Sequence, residues 1–269
     1  ATESSGRAAA LAANAVPALV SILRGRRHGE AQDVAIEVLG RLASDSAGGL
    51  GADRIRAGLV LSGAVPLLVE LCSPAPGSAR PAALAARALA RMAQYPGNVT
   101  PIVSMGTAAP LVALLRNGDE EVRAEAAMAL ASIAATNKTR QVIVAEGALD
   151  ALAEILRDRS APRARAAAAA AVASIAGKDP KDYLYARGED DGVPYLLVDW
   201  RLYEGAILSE LVALLRDGCP VGRAQAALAM LQLSAFQQLH KAIAAAGALP
   251  PLVRTVAEGT AEARGAAIT

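Results

Sequence analysis

Few residues in this chain have the types and spacing that chemistry requires. There are two histidines and two cysteines in 269 residues. His28 lies in the basic stretch Arg24-Gly25-Arg26-Arg27-His28, and His240 lies more than 200 positions later. Cys72 and Cys219 have no neighbouring Cys or His in a metal-ligand or redox spacing, so a zinc site, a CxxC couple and a disulfide scaffold are all excluded. A reducing intracellular compartment is the expected setting. No Gly-x-Ser-x-Gly, phosphate loop, His-Glu-x-x-His or dinucleotide fingerprint occurs. The glycines of Ser44-Asp45-Ser46-Ala47-Gly48-Gly49-Leu50-Gly51-Ala52-Asp53 follow no strand and precede no Gly-Lys-Ser/Thr, so they read as a surface loop. Glu189-Asp190-Asp191 lacks the alternate-residue ligands of a calcium loop. The expectation is a non-catalytic chain with no cofactor and no metal.

Composition narrows the partners. Lys and Arg number 27 against 26 Asp and Glu, so no net basicity calls for nucleic acid. The cluster Arg24, Arg26 and Arg27 lacks the interleaved aromatics of a single-strand platform. Hydrophobic residues reach 54% while aromatics are 3%. The apolar content is therefore mostly Ala, Leu and Val, which suits closely packed helices better than a sheet. The uncharged run from Met92 to Leu115 is long enough to span a bilayer. It is broken by Pro96, Gly97, Pro101, Gly106 and Pro110, so it reads as two short helices of a soluble protein with no membrane span. The Asn98-Val99-Thr100 and Asn137-Lys138-Thr139 sequons carry little weight without a secretory signal.

The elements that must position any site come from a repeat. A small residue, a short apolar turn, often Pro, and a Leu-Val-x-Leu-Leu run recur along the chain. Copies begin at Ala15, Ala64, Ala108, Ala148, Ala206 and Ala248. With Leu19, Leu68, Leu111, Leu152, Leu211 and Leu252 in register, the spacings are 49, 43, 41, 59 and 41, near the forty-odd residues of helical solenoid units. Each unit reads as three helices. A short first helix ends on Gly, as at Val142-Ile143-Val144-Ala145-Glu146-Gly147, where Gly supplies the left-handed residue. A second follows at once, with Pro tolerated in its first turn. After a polar link such as Arg116-Asn117-Gly118-Asp119 comes a third, Glu121 to Ala134. Its apolar positions Val122, Ala126, Ala129, Leu130 and Ile133 make one buried stripe.

The phrases "x-Glu-Gly-Ala-Leu-x-x-Leu-x-x-Leu-Leu" and "Glu-Val-Arg-x-x-Ala-x-x-Ala-Leu-x-x-Ile-Ala" resemble the armadillo repeat family, best over residues 98–181. The resemblance implies an all-α fold, a right-handed α-solenoid (superhelix) of about six armadillo-like three-helix repeats. The whole of 1–269 is then one solenoid, with units at about 7–46, 53–97, 98–137, 138–176, 193–237 and 238–269 and an inserted loop at 177–192. In that family the third helices line a concave groove, and many peptide-binding members carry an Asn ladder with Trp one turn earlier. Aligned on Leu130-Ala131-Ser132-Ile133-Ala134, the Asn-equivalent positions are Arg41, Arg91, Ser132, Ser174 and Gln232. The Trp-equivalent positions are Glu37, Arg87, Met128, Ala170 and Leu228. The ladder is absent, which argues against an importin-like reader of basic peptides.

The groove so defined has a basic half and an apolar half. Arg41, Arg87 and Arg91 are placed to pair with carboxylates of an acidic or extended partner segment, with Met128 and Leu228 as apolar contacts. The alternative is that these arginines are solvated charges covering an Ala-rich face, with Glu37 pairing Arg41 at i,i+4. Five of the seven aromatics, Tyr183, Tyr185, Tyr195, Trp200 and Tyr203, fall within 21 positions. Val193 to Tyr203 aligns with the short first helix of the fifth unit, which makes Trp200 a core residue. Tyr183 and Tyr185 belong to the inserted loop, where they either touch a partner or fold onto their own solenoid. Function follows as a protein-interaction adaptor or, alternatively, a permanent structural subunit docked on neighbouring subunits through its edges and that loop. The chain ends at Ile268-Thr269 without a polar capping helix, which favours the second reading. The substrate-binding half of a ubiquitin ligase is a third possibility, by analogy alone.

Overall fold

The structure, a computed structural model, describes residues 15–25, 29–44, 57–73, 78–177 and 206–258. The chain divides into two compact halves, Ala1–Ile133 and Ala134–Thr269. All regular structure among the described residues is helical. The aromatic segment with Tyr183, Tyr185, Glu189–Asp191, Trp200 and Tyr203 lies outside the described residues. So do Arg26, Arg27, His28 and nearly all of the glycine loop.

The first half contains α1 (Ala15–Arg24), α2 (Glu30–Ser44) and α3 (57–61). These are followed by α4 (Ala64–Leu71), α5 (Ala79–Ala93), α6 (Pro96–Ser104), α7 (Ala108–Asn117) and α8 (Glu120–Ile133). The second half contains α9 (Asn137–Ala145), α10 (Ala148–Arg157), α11 (Pro162–Ala176), α12 (Leu208–Asp217) and α13 (Pro220–Ser234). It ends with a 3-10 turn (Gln237–Leu239), α14 (His240–Ala245) and α15 (Leu249–Glu258). Short, medium and long helices alternate in threes, as in α6-α7-α8 and α9-α10-α11.

Local chemistry sets the helix boundaries. Gly63, Gly106, Gly147 and Gly247 all have φ between 73 and 78°. Each sits between the first and second helix of its repeat, where a left-handed residue turns the chain without a Cβ penalty. Pro66 and Pro110 fall in the first turns of α4 and α7, where no intrahelical N–H is missed. The Asp119 carboxylate accepts the Val122 amide at 2.9 Å and starts α8. Thr136 and Thr139 form a reciprocal capping box on α9, satisfying N–H groups that a helix leaves open.

The third helices pack side by side within each half: α2 on α5 and α5 on α8 in the first, α11 on α13 in the second. Alanine makes this close approach possible. Nine residues of α5 are buried, seven of them Ala, because α5 is covered on both flanks by α2 and α8 as well as by α4 and α6 behind it. α8 departs from the expected single stripe. Ala124, Glu125 and Ala127 are buried along with Val122, Ala126, Ala129, Leu130 and Ile133. A helix held among several neighbours is apolar around most of its circumference, so one amphipathic face underestimates its burial. Leu39, Leu89, Met92, Leu111, Leu130 and Ile133 are fully enclosed, each burial stabilising by about 1.5–3 kcal/mol.

No single helix among the described residues is long and apolar enough to cross a membrane. The uncharged run from Met92 onward forms α6 and α7, bent by 81° at the Met105–Thr107 break.

Candidate partner-binding face

Packing the third helices against one another leaves one strip of each uncovered. In the first half that strip carries Glu37 and Arg41 on α2, Arg87 and Arg91 on α5, and Met128 and Ser132 on α8, none of them buried. In the second half it carries Ala170 and Ser174 on α11 and Leu228 and Gln232 on α13, all half-buried. Four-residue steps repeat on every helix because they return to nearly the same side of a 3.6-residue turn.

The three arginines of the first half differ in what they touch. Arg41 Nη2 donates to Glu37 Oε1 at 2.6 Å, an i,i+4 pair in which both side chains are largely exposed. Arg87 reaches across to the next repeat and donates to Glu125 at 2.9 Å and Glu121 at 3.1 Å. The Arg87 guanidinium is held above its ordinary pKa, mainly by the hydrogen bond to Glu125 and against partial burial. Arg91 has no ion-pair partner among the described residues, and its stem leans toward α2. A Cβ built on Gly40 would stand 3.5 Å from the Arg91 Cδ and 3.2 Å from the Ala88 Cα. Among these groups Glu37, Glu121 and Glu125 offset the charge of Arg41 and Arg87, leaving Arg91 as the arginine with open hydrogen-bonding capacity.

Sequence reasoning missed the role of Glu121 and Glu125. A signal did exist: Arg87 and Met128 are one repeat apart, so Glu125 and Glu121 stand about one and two turns before the residue that lies opposite Arg87. Ser132 Oγ donates to the Met128 carbonyl at 2.9 Å, which leaves its lone pairs for an incoming donor.

A second recurring device also escaped the sequence reading. Arg165 on α11 is buried, yet its Nε donates to the Leu156 carbonyl at the end of α10, 2.8 Å away. The aligned Arg123 and Arg223 reach the Arg116 and Gly218 carbonyls at 3.5 and 3.3 Å. In three repeats a guanidinium thus meets the open carbonyls after the second helix, where the helix dipole favours a cation. Burial, then the nearby Arg159, lowers the Arg165 pKa.

The remaining chemical candidates are dispersed. Cys72 is buried, and burial pushes its thiol up to about 12. Cys219 is exposed and caps α13, its Sγ accepting the Gly222 amide at 3.4 Å. The His240 ring lies 2.7 Å from the Ser234 carbonyl at the end of α13. Asn98 of the first sequon is buried and donates to the Met92 carbonyl at 3.1 Å, so its amide is closed to a glycosyl donor. No group of three or more His, Cys, Asp or Glu side chains converges among the described residues.

Residues 108–196 match the profile of HEAT repeats. No curated protein matches in sequence. Solved structures do match. An engineered protein, known from its crystal structure, superposes with a TM-score of 0.77 at 26% identity, covering 94% of this chain and 95% of that one. A designed armadillo repeat protein in complex with the peptide (KR)4 superposes at 0.74 with 27% identity, covering 94% and 96%. Computationally designed armadillo repeat proteins for modular peptide recognition superpose at 0.72 with 26% identity, covering 94% and 97%. HEAT and armadillo repeats are related solenoid units of two and three helices, typical of protein-binding scaffolds. With a short helix ending on a left-handed glycine at Gly63, Gly106, Gly147 and Gly247, the described residues have the all-helical fold of armadillo and HEAT repeats.

Proposed function

We propose that the chain is a non-catalytic scaffold whose halves each hold an extended stretch of a partner protein along the open strips of their own third helices. The observation that carries this reading is the recurrence of exposure. Equivalent positions on five third helices stay exposed or half-buried beside core residues such as Ile36, Ala88, Ala129, Ala173 and Ala229, so each half carries a recurring solvent-facing strip of side chains. The same fold in a designed relative carries a (KR)4 peptide. Here the chemistry differs, since no Asn or acidic ladder lines the strip. Arg41 and Arg91 are the contacts for acidic side chains of the segment, with Ser132, Ser174 and Gln232 as hydrogen-bonding groups and Met128 and Leu228 as apolar ones. Arg87, already held by two carboxylates, shapes the strip from within.

The test is fluorescence anisotropy with acidic and basic degenerate peptides, comparing the wild-type chain with Arg41→Glu/Arg91→Glu at low and high salt. Acidic peptides should bind the wild type, weaken as salt screens the contacts and fail to bind the variant. Equal binding by both proteins in all conditions would refute a segment held on these helices. It would favour a subunit docked through another surface.

A further inference from the structure

The strip of the first half contains a more specific feature. Gly40 stands beside Arg41 on α2, and the missing Cβ at Gly40 lets α5 come so close that the Arg91 stem rests across it. With the Cα atoms of Gly40 and Arg41 about 3.8 Å apart, the Arg91 Cδ lies within about 9 Å of the Arg41 Cα. The Arg41 and Arg91 side chains therefore start from adjoining positions on neighbouring helices, each with a long, adjustable stem. Among the described residues one carboxylate, Glu37, pairs with Arg41 through a single nitrogen at 2.6 Å. Arg87 is excluded from this pair because it points to the opposite neighbour, α8.

We infer that Arg41 and Arg91 together receive a phosphorylated side chain of the bound segment. The inference rests on the scaffold reading above and deepens it. The charge arrangement selects the ligand. A carboxylate brings one negative charge and two acceptor oxygens to be shared between two guanidinium groups. A phosphoryl group brings three acceptor oxygens and close to two negative charges. It reaches Arg91 and the unused N–H groups of the Arg41 fork at once while Glu37 stays in place. Among the described residues Glu37 also leaves this pair with one net positive charge, too little to hold free phosphate firmly. The dianion must be delivered on a chain that the rest of the strip holds.

Short degenerate peptides with a fixed central phosphoserine, glutamate or serine test this on the full chain, with inorganic phosphate as competitor. The phosphoserine set should bind about tenfold more tightly than the glutamate set. Arg91→Gln should abolish that preference, Arg41→Gln should reduce it, and Glu37→Gln should tighten phosphoserine binding. Arg87→Gln should lower stability and leave the preference intact, which separates a folding defect from loss of the site. Equal binding of phosphoserine and glutamate sets, or a preference that survives Arg91→Gln, overturns the phosphoryl site and leaves the scaffold reading standing. Displacement of the phosphoserine set by equimolar inorganic phosphate overturns delivery on a chain. Failure of all three sets to bind removes the scaffold reading and this inference with it.

Discussion

Replacing Arg87 with Met removes the guanidinium that joins α5 to α8 while keeping much of its apolar stem. Its main partner is the Glu125 carboxylate, whose side chain is only 10% exposed, whereas Arg87 itself is 30% exposed. Removing one partner of a fully buried pair costs about 3–5 kcal/mol, and the partial exposure of Arg87 lowers this to about 2–3 kcal/mol. Glu125→Gln should cost less, about 1–2 kcal/mol, because Arg87 keeps the solvent-facing Glu121, which is 58% exposed. Glu121→Gln should fall within the range of surface pairs, below about 1 kcal/mol. The Arg87→Met/Glu125→Gln double variant should then be less destabilised than the sum, with a coupling of about 1 kcal/mol or more. Urea unfolding followed by circular dichroism gives the four corners of the cycle. Hydrogen exchange at α5 and α8 amides checks that the loss is local, since neighbouring repeats unfold semi-independently. A coupling below about 0.3 kcal/mol, or an Arg87→Met variant no less stable than Arg41→Met, would refute the assignment of Arg87 to an internal bridge.

Two further outcomes follow from the packing. Gly40→Val should destabilise by about 2 kcal/mol or more, although Val has the higher helix propensity. The new Cβ would meet the Ala88 backbone at 3.2 Å, and α5, enclosed by α2 and α8, has little room to retreat; thermal melting decides it, and wild-type stability would disprove the close approach. The Cys72 thiol is raised from 9.0 to about 12 in the folded chain. From about pH 9 upward the unfolded thiol ionises while the folded one stays neutral. Folding stability should therefore fall by about 1.4 kcal/mol per pH unit between those values, and Cys72→Ala should lack that part of the slope. A matching slope in Cys72→Ala would show that the thiol is accessible.

The parts of this chain that were legible in its sequence are those governed by neighbours along the chain. The turn at Gly147, the proline in the first turn of α7 and the core positions Val122, Ala126, Ala129, Leu130 and Ile133 of α8 each depend on a few consecutive residues. Their repetition about every forty residues multiplies a weak local signal into a reading of the fold. The two-helix nature of the Met92–Leu115 run was legible for the same reason, since Pro and Gly act within one turn. The line of positions from Arg41 to Gln232 came from register alone, by adding one repeat length to the next.

What each of those residues does was decided by contacts between helices. The alignment treats Arg41, Arg87 and Arg91 alike. In the structure one pairs within its own helix, one spans to the following repeat, and one leans over Gly40 toward the preceding repeat. Glu125 is polar in sequence and buried in fact, because α5 brings it a guanidinium that offsets its desolvation. Arg165 is buried on an alanine-rich helix, where the Leu156 carbonyl ending α10 accepts it. Asn98 sits in a glycosylation pattern but is enclosed by its bond to Met92. Helix boundaries and period were thus set by backbone propensity and short-range sterics, which one stretch of sequence contains. Charge pairing and burial were set by the approach of α2, α5 and α8. That approach depends on side-chain volumes on separate helices tens of residues apart, and only the tertiary structure brings them together.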